Sequence, residues 1–137
     1  MTPIKSVFLI DDDPIVNMIN KKIISISNFT PNIITYLGAR KALNDLTNFL
    51  DTDPDKFPEI IFLDINMPDM DGWEFLDAFG KFPDTVLAKC TVYMLTSSID
   101  SNDIERAESY PTVKEFISKP LSVAWMEILS SRINNIF

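Results

Sequence analysis

Five short apolar runs punctuate the chain: Val7-Phe8-Leu9-Ile10, Ile33-Ile34-Thr35-Tyr36, Ile60-Ile61-Phe62-Leu63, Thr91-Val92-Tyr93-Met94-Leu95 and Glu115-Phe116-Ile117-Ser118. Runs this short, bounded by turn-forming residues, read as strands, and unbroken apolarity indicates burial on both faces. Helical patterns fill the spaces between them. Asp13 suits an N-cap and Pro14 the first helical position. Ile15, Val16, Ile19, Ile23 and Ile26 then form an apolar stripe at helical spacing. Gly38 leads into a second helix carrying Ala39, Ala42, Leu43, Leu46, Phe49 and Leu50, followed by a polar loop from Asp51 to Pro58. A third helix after Gly72 buries Phe75, Leu76 and Phe79, with Phe82 on the same face, and stops before Pro83. Ser101 to Ser109 forms a weak, mostly charged fourth helix. The last helix begins near Ser122 and carries Trp125, Met126, Ile128, Leu129, Ile133 and Ile136.

Strands alternating with helices predict an α/β domain, a parallel sheet covered by helices on both faces. In such a sheet the carboxyl ends of all strands share one edge, where open α/β sheets bind ligands. The residues that close the strands are therefore neighbours in space. The first brings Asp11 and Asp12, the third Asp64, the fourth Thr96 and the fifth Lys119. Gathered carboxylates repel and raise one another's pKa values. A hard divalent cation relieves that repulsion, and magnesium suits few carboxylates, several waters and a phosphate. A lysine and a hydroxyl beside them suit a phosphoryl group better than a second metal. Singly, each piece has a plainer explanation: an N-cap, a turn aspartate, a strand end, a Lys-Pro loop. Their joint placement, closing four strands in order, is what those explanations do not cover.

Composition narrows the chemistry. At 137 residues, with 46% hydrophobic residues and three glycines, the chain fits one ordered domain with a sizeable core. There is no histidine, which removes histidine triads, most catalytic zinc sites and any phosphohistidine on this chain. The net charge of −8 argues against DNA or another nucleic acid as a partner. No apolar run reaches membrane-spanning length and no leader pattern opens the chain, which predicts a cytoplasmic protein without a membrane partner. Cys90 is the lone cysteine, so no internal disulfide is possible.

Four motifs carry a resemblance to a known family: Phe8-Leu9-Ile10-Asp11-Asp12-Asp13-Pro14, Phe62-Leu63-Asp64-Ile65-Asn66-Met67-Pro68-Asp69-Met70-Asp71-Gly72, Leu95-Thr96-Ser97 and Phe116-Ile117-Ser118-Lys119-Pro120. With them the chain resembles the receiver domain of two-component response regulators, in its free-standing chemotaxis-type form. The resemblance implies a flavodoxin-like (βα)5 doubly wound sheet of order 2-1-3-4-5. It also implies one receiver domain over residues 1–137 with no output domain.

Carried over residue by residue, Asp64 resembles the phosphoacceptor, supplied by the phosphohistidine of a histidine kinase or histidine phosphotransfer protein. The resemblance implies that Asp12, Asp64 and the carbonyl of Asn66 hold Mg2+ directly, with Asp11 acting mainly through water. Lys119 and Thr96 would stabilise the phosphoryl oxygens, small Ser97 would leave them room, and Asn66 and Ser98 match positions that tune phosphoryl lifetime. Thr96 and Phe116 match the switch pair, and the bond before Pro120 is implied to be cis. The downstream protein would bind the face formed by the fourth helix, fifth strand and fifth helix. That surface departs from the family, because Pro111-Thr112-Val113 replaces a small Gly-Ala pair. Such a domain catalyses its own phosphorylation and reset without being a conventional enzyme. Two other readings compete: a degenerate receiver that only binds partners, and a magnesium-dependent phosphatase with an aspartyl nucleophile. The phosphatase would need an aspartate at position 66, where this chain has Asn66.

Overall fold

The computed structural model describes residues 4–97 and 99–134. Five strands form one parallel sheet: β1 (Val7–Ile10), β2 (Ile33–Tyr36), β3 (Ile60–Asp64), β4 (Thr91–Thr96) and β5 (Val113–Ser118). Their order is β2-β1-β3-β4-β5, the expected one. Every neighbouring pair is parallel.

Side-chain alternation divides the central strands between two cores. Phe8 and Ile10 of β1, Ile61 and Leu63 of β3, and Val92 and Met94 of β4 share one face. Val7, Leu9, Ile60, Phe62, Tyr93 and Leu95 point to the other. Helices α2 (Ala39–Thr52), α3 (Gly72–Phe79) and α5 (Ser101–Ala107) contribute Leu46, Phe75 and Ala107 to the first core. Helices α1 (Pro14–Ile26) and α6 (Val123–Asn134) contribute Ile24, Met126 and Leu129 to the second. The two edge strands, covered less completely, carry the exposed positions.

Three elements differ from the sequence expectation. The Asp51 to Pro58 loop is partly helical: α2 runs on through Thr52, a 3-10 turn covers Pro54–Lys56, and Phe57 is buried. Phe57 packs on Phe79 and Phe82 at centroid distances of 6.2 and 5.9 Å, so the polar segment is pinned by one aromatic. A short helix, α4 (Asp84–Leu87), follows Pro83. β5 begins two residues early, at Val113, and its register with β4 shifts so that Lys114 is the extra residue.

The first helix is rotated relative to its apolar stripe. Its buried residues are Asn17, Asn20 and Ile24, whereas Ile15, Ile19 and Ile26 are exposed. Ile128 of α6 is exposed as well, and Ile136 lies outside the described residues.

Candidate functional site

Parallel strands deliver their terminal residues to one edge, and the turns there set the side chains. Asp11 follows β1 and Asp64 ends β3; both are buried, at 1% and 4% exposure, while Asp12 is exposed. One oxygen from each of the three carboxylates lies within 4.8 Å of the others. Lys119 follows β5, and its Nζ donates to Asp11 Oδ2 at 3.0 Å and to Asp64 Oδ1 at 3.2 Å. Its backbone N–H donates to the carbonyl of Thr96, the buried residue that ends β4. The Lys119–Pro120 bond is cis.

The electrostatics follow from this crowding. Burial foremost, then the charge of Asp11, raises the Asp64 carboxyl to a pKa of about 6, against the pull of Lys119. Burial pushes the Lys119 ammonium down, but bonding to Asp11 and the charges of both carboxylates outweigh it, and the net shift is upward. Lys119 therefore stays cationic. One ammonium against three carboxylates leaves the cleft short of positive charge. An oxygen-only donor set of this kind, with no thiol or imidazole, fits a hard cation such as Mg2+.

The β3–α3 loop is held tightly beneath Asp64. Gly72 N–H donates to Ile65 O at 2.8 Å, and a Cβ on Gly72 would stand 2.7 Å from the Asp64 carbonyl oxygen. Asp71 and Glu74 form a capping box at the start of α3. Asp69 has φ of 69° and receives Arg40 Nε at 2.7 Å. Asn66 and Ser97 are exposed beside the cleft-bearing ends of β3 and β4, and Ser98 lies outside the described residues. Phe116 is half-buried against the first core and lines a hollow of about 340 Å3 with Ile99, Ile104 and Val113.

Sequence reasoning missed Asn17 and Asn20. Asn17 Nδ2 donates to Asp11 O and Tyr36 O, and Asn20 Oδ1 accepts from Leu121 N–H. Isoleucines at helical spacing outweighed the two asparagines, whose own i, i+3 spacing was the available signal.

A doubly wound parallel sheet with an acidic cleft and a lysine at its carboxyl edge defines the class of α/β domains that bind ligands at the strand ends. The response regulator receiver domain model matches residues 7–128, and the chain belongs to that family. It is a receiver domain of a two-component response regulator. Receiver domains bind Mg2+ through an acidic pocket and interact with histidine kinases or phosphotransfer proteins. A two-component response regulator from Cytophaga hutchinsonii is 35% identical, covering 98% of this chain and 99% of that one, with a TM-score of 0.87. A response regulator receiver protein from Dyadobacter fermentans is 27% identical over 93% and 96% of the two chains, with a TM-score of 0.80. The Vibrio cholerae chemotaxis protein CheY4, 18% identical over 98% and 99%, shares the fold at a TM-score of 0.73. Among curated proteins, none matches the chain. Among the described residues no helix is long and apolar enough to cross a membrane.

Proposed function

We propose that Asp64 is the phosphoacceptor and that its phosphorylation is the signal this domain carries. The observation behind this reading is the Lys119 ammonium spanning Asp11 and Asp64 while Asp12 stands within metal-sharing distance. Asp12, Asp64 and the Asn66 carbonyl would hold Mg2+, with Asp11 acting through water. When bound, the ion neutralises charge on the phosphoryl oxygens.

The chain's own groups do the rest. An Asp64 carboxylate oxygen attacks the phosphorus of a phosphohistidine on the kinase or phosphotransfer protein. The phosphorus–nitrogen bond breaks, and the imidazole nitrogen keeps the electron pair. Phosphoryl transfer depends on in-line positioning and on neutralising spread charge, and Lys119 supplies a fixed cation for the latter. Thr96 donates to a phosphoryl oxygen, and Ser97 keeps the approach open. Water later attacks the phosphorus and releases the Asp64 carboxylate, with Asn66 and Ser98 tuning the rate. Thr96 and Phe116 pass the change to the α5–β5–α6 face, where a downstream protein binds. Asn66 leaves no acid-base group at the position an aspartyl phosphatase would use. The domain works in the cytoplasm.

Incubation with acetyl phosphate and magnesium tests this directly by intact mass. Wild type gains one phosphoryl group and Asp64→Asn gains none. No magnesium-dependent adduct on wild type would leave only the interaction-module reading, and an equal adduct on the variant would move the acceptor elsewhere.

A further inference from the structure

The site-facing side of α1 carries two amides where a helix packed on a sheet ordinarily carries apolar residues. Asn17 is 4% exposed and Asn20 is fully buried, yet Ile15 and Met18 of the same helix are 61% and 65% exposed. Burying an amide is costly when part of its hydrogen-bonding capacity goes unused. Here Asn17 Oδ1 and Asn20 Nδ2 have no hydrogen-bond partner among the described residues. The bonds that the other halves make must justify the arrangement, and they lead to the two strand-end loops whose side chains meet.

Asn17 Nδ2 bridges Asp11 O at 2.9 Å and Tyr36 O at 3.0 Å, and Asp11 N–H also donates to Tyr36 O. The backbone of Asp11 is thereby fixed between α1 and the end of β2. Asn20 Oδ1 accepts from Leu121 N–H at 2.8 Å, two residues past Lys119 and 101 residues distant in sequence. One helical turn separates the two asparagines. A single rigid element thus anchors the backbone on both sides of the Lys119–Asp11 ion pair. Lysine reaches its partners through a flexible stem, so where its backbone starts decides where the ammonium rests.

We infer that Asn17 and Asn20 are positioning residues of the phosphoryl site, Asn20 setting Lys119 and Asn17 setting Asp11. The inference rests on the phosphoacceptor reading. It predicts a division of effects that general loss of packing would not produce. Asn20→Leu slows phosphorylation at saturating acetyl phosphate by about tenfold, since sub-ångström misplacement of a charged group is enough for that. Its magnesium affinity, measured by calorimetry, does not fall, because Lys119 is no metal ligand and an ammonium displaced from Asp11 and Asp64 competes less with the ion. Asn17→Leu loses both rate and magnesium affinity. Ile24→Val, on the same buried face, lowers the melting temperature and leaves the rate per folded molecule unchanged. Asn20→Ala carries the same test if leucine prevents folding. Equal rates in wild type and both Asn20 variants, or losses that track melting temperature through the whole set, overturn the inference. A wild type that takes up no phosphoryl group overturns the phosphoacceptor reading itself, and the wild-type arm alone reveals that case.

Discussion

Asp64 ends β3 as a buried carboxyl whose ionised form works against the fold. Its carboxyl titrates near 6 rather than 3.8, chiefly through burial. Because the folded value is raised, the folded protein favours the neutral acid. That advantage is complete below about pH 4 and is lost as pH rises through 6. Above that the ionised carboxylate costs the fold roughly 3 kcal/mol, at about 1.4 kcal/mol per unit, with little solvent discount for a side chain 6% exposed. Asp64→Asn is therefore expected to melt higher than wild type at pH 7.5 in the absence of divalent cations. The difference should shrink by pH 4.5. Melting curves at the two pH values decide it, and a variant less stable than wild type at pH 7.5 contradicts the assignment of burial as the dominant cause.

At the scale of elements, the β3–α3 junction is the most demanding turn. Alanine at position 72 would improve the intrinsic helix propensity of α3 by up to about 1 kcal/mol. Against this, its Cβ meets backbone atoms at 2.7 and 3.0 Å, which no side-chain rotation relieves. Overpacking of that kind costs about 1–3 kcal/mol, so the clash wins. Gly72→Ala should lower the urea midpoint and, by displacing the Asp64 carbonyl, slow phosphorylation. A variant matching wild type in both measurements would show that the loop has slack this geometry does not suggest. The first helix teaches a related lesson: its exposed isoleucines and buried asparagines reverse the usual pattern, because the bonds at the strand-end loops outweigh apolar burial along that turn.

For the molecule as a whole, the parallel sheet gathers like charge at one edge of an already acidic chain with net charge −8. A cation that binds only the folded state stabilises it by mass action, about 2.7 kcal/mol at a hundredfold excess over its dissociation constant. Adding magnesium should thus raise the melting temperature on the order of 10 °C, and a chelator should reverse the gain. Asp12→Asn is the informative control, because Asp12 is exposed, so its loss should remove the response without unfolding the domain. An undiminished response in that variant would place the cation elsewhere.

Much of this protein is legible in its residues alone. Strand runs and their closing residues predict a parallel sheet and the meeting of Asp11, Asp12, Asp64, Thr96 and Lys119, because parallel topology leaves those ends one edge to share, while the strand order comes from the family motifs. Asp13 and Pro14 likewise mark the start of α1 by local chemistry. What periodicity could not decide is orientation and distance. The rotation of α1, the early start of β5 with Lys114 as its extra residue, and the burial of Phe57 beneath a polar segment depend on partners far away in the chain. The bridging of two carboxylates by Lys119 depends on them too, since hydrogen bonds between residues 55 and 108 positions apart have no local signature. Local chemistry chooses which residues can serve the site; only the packed sheet and its first helix bring them to bonding distance.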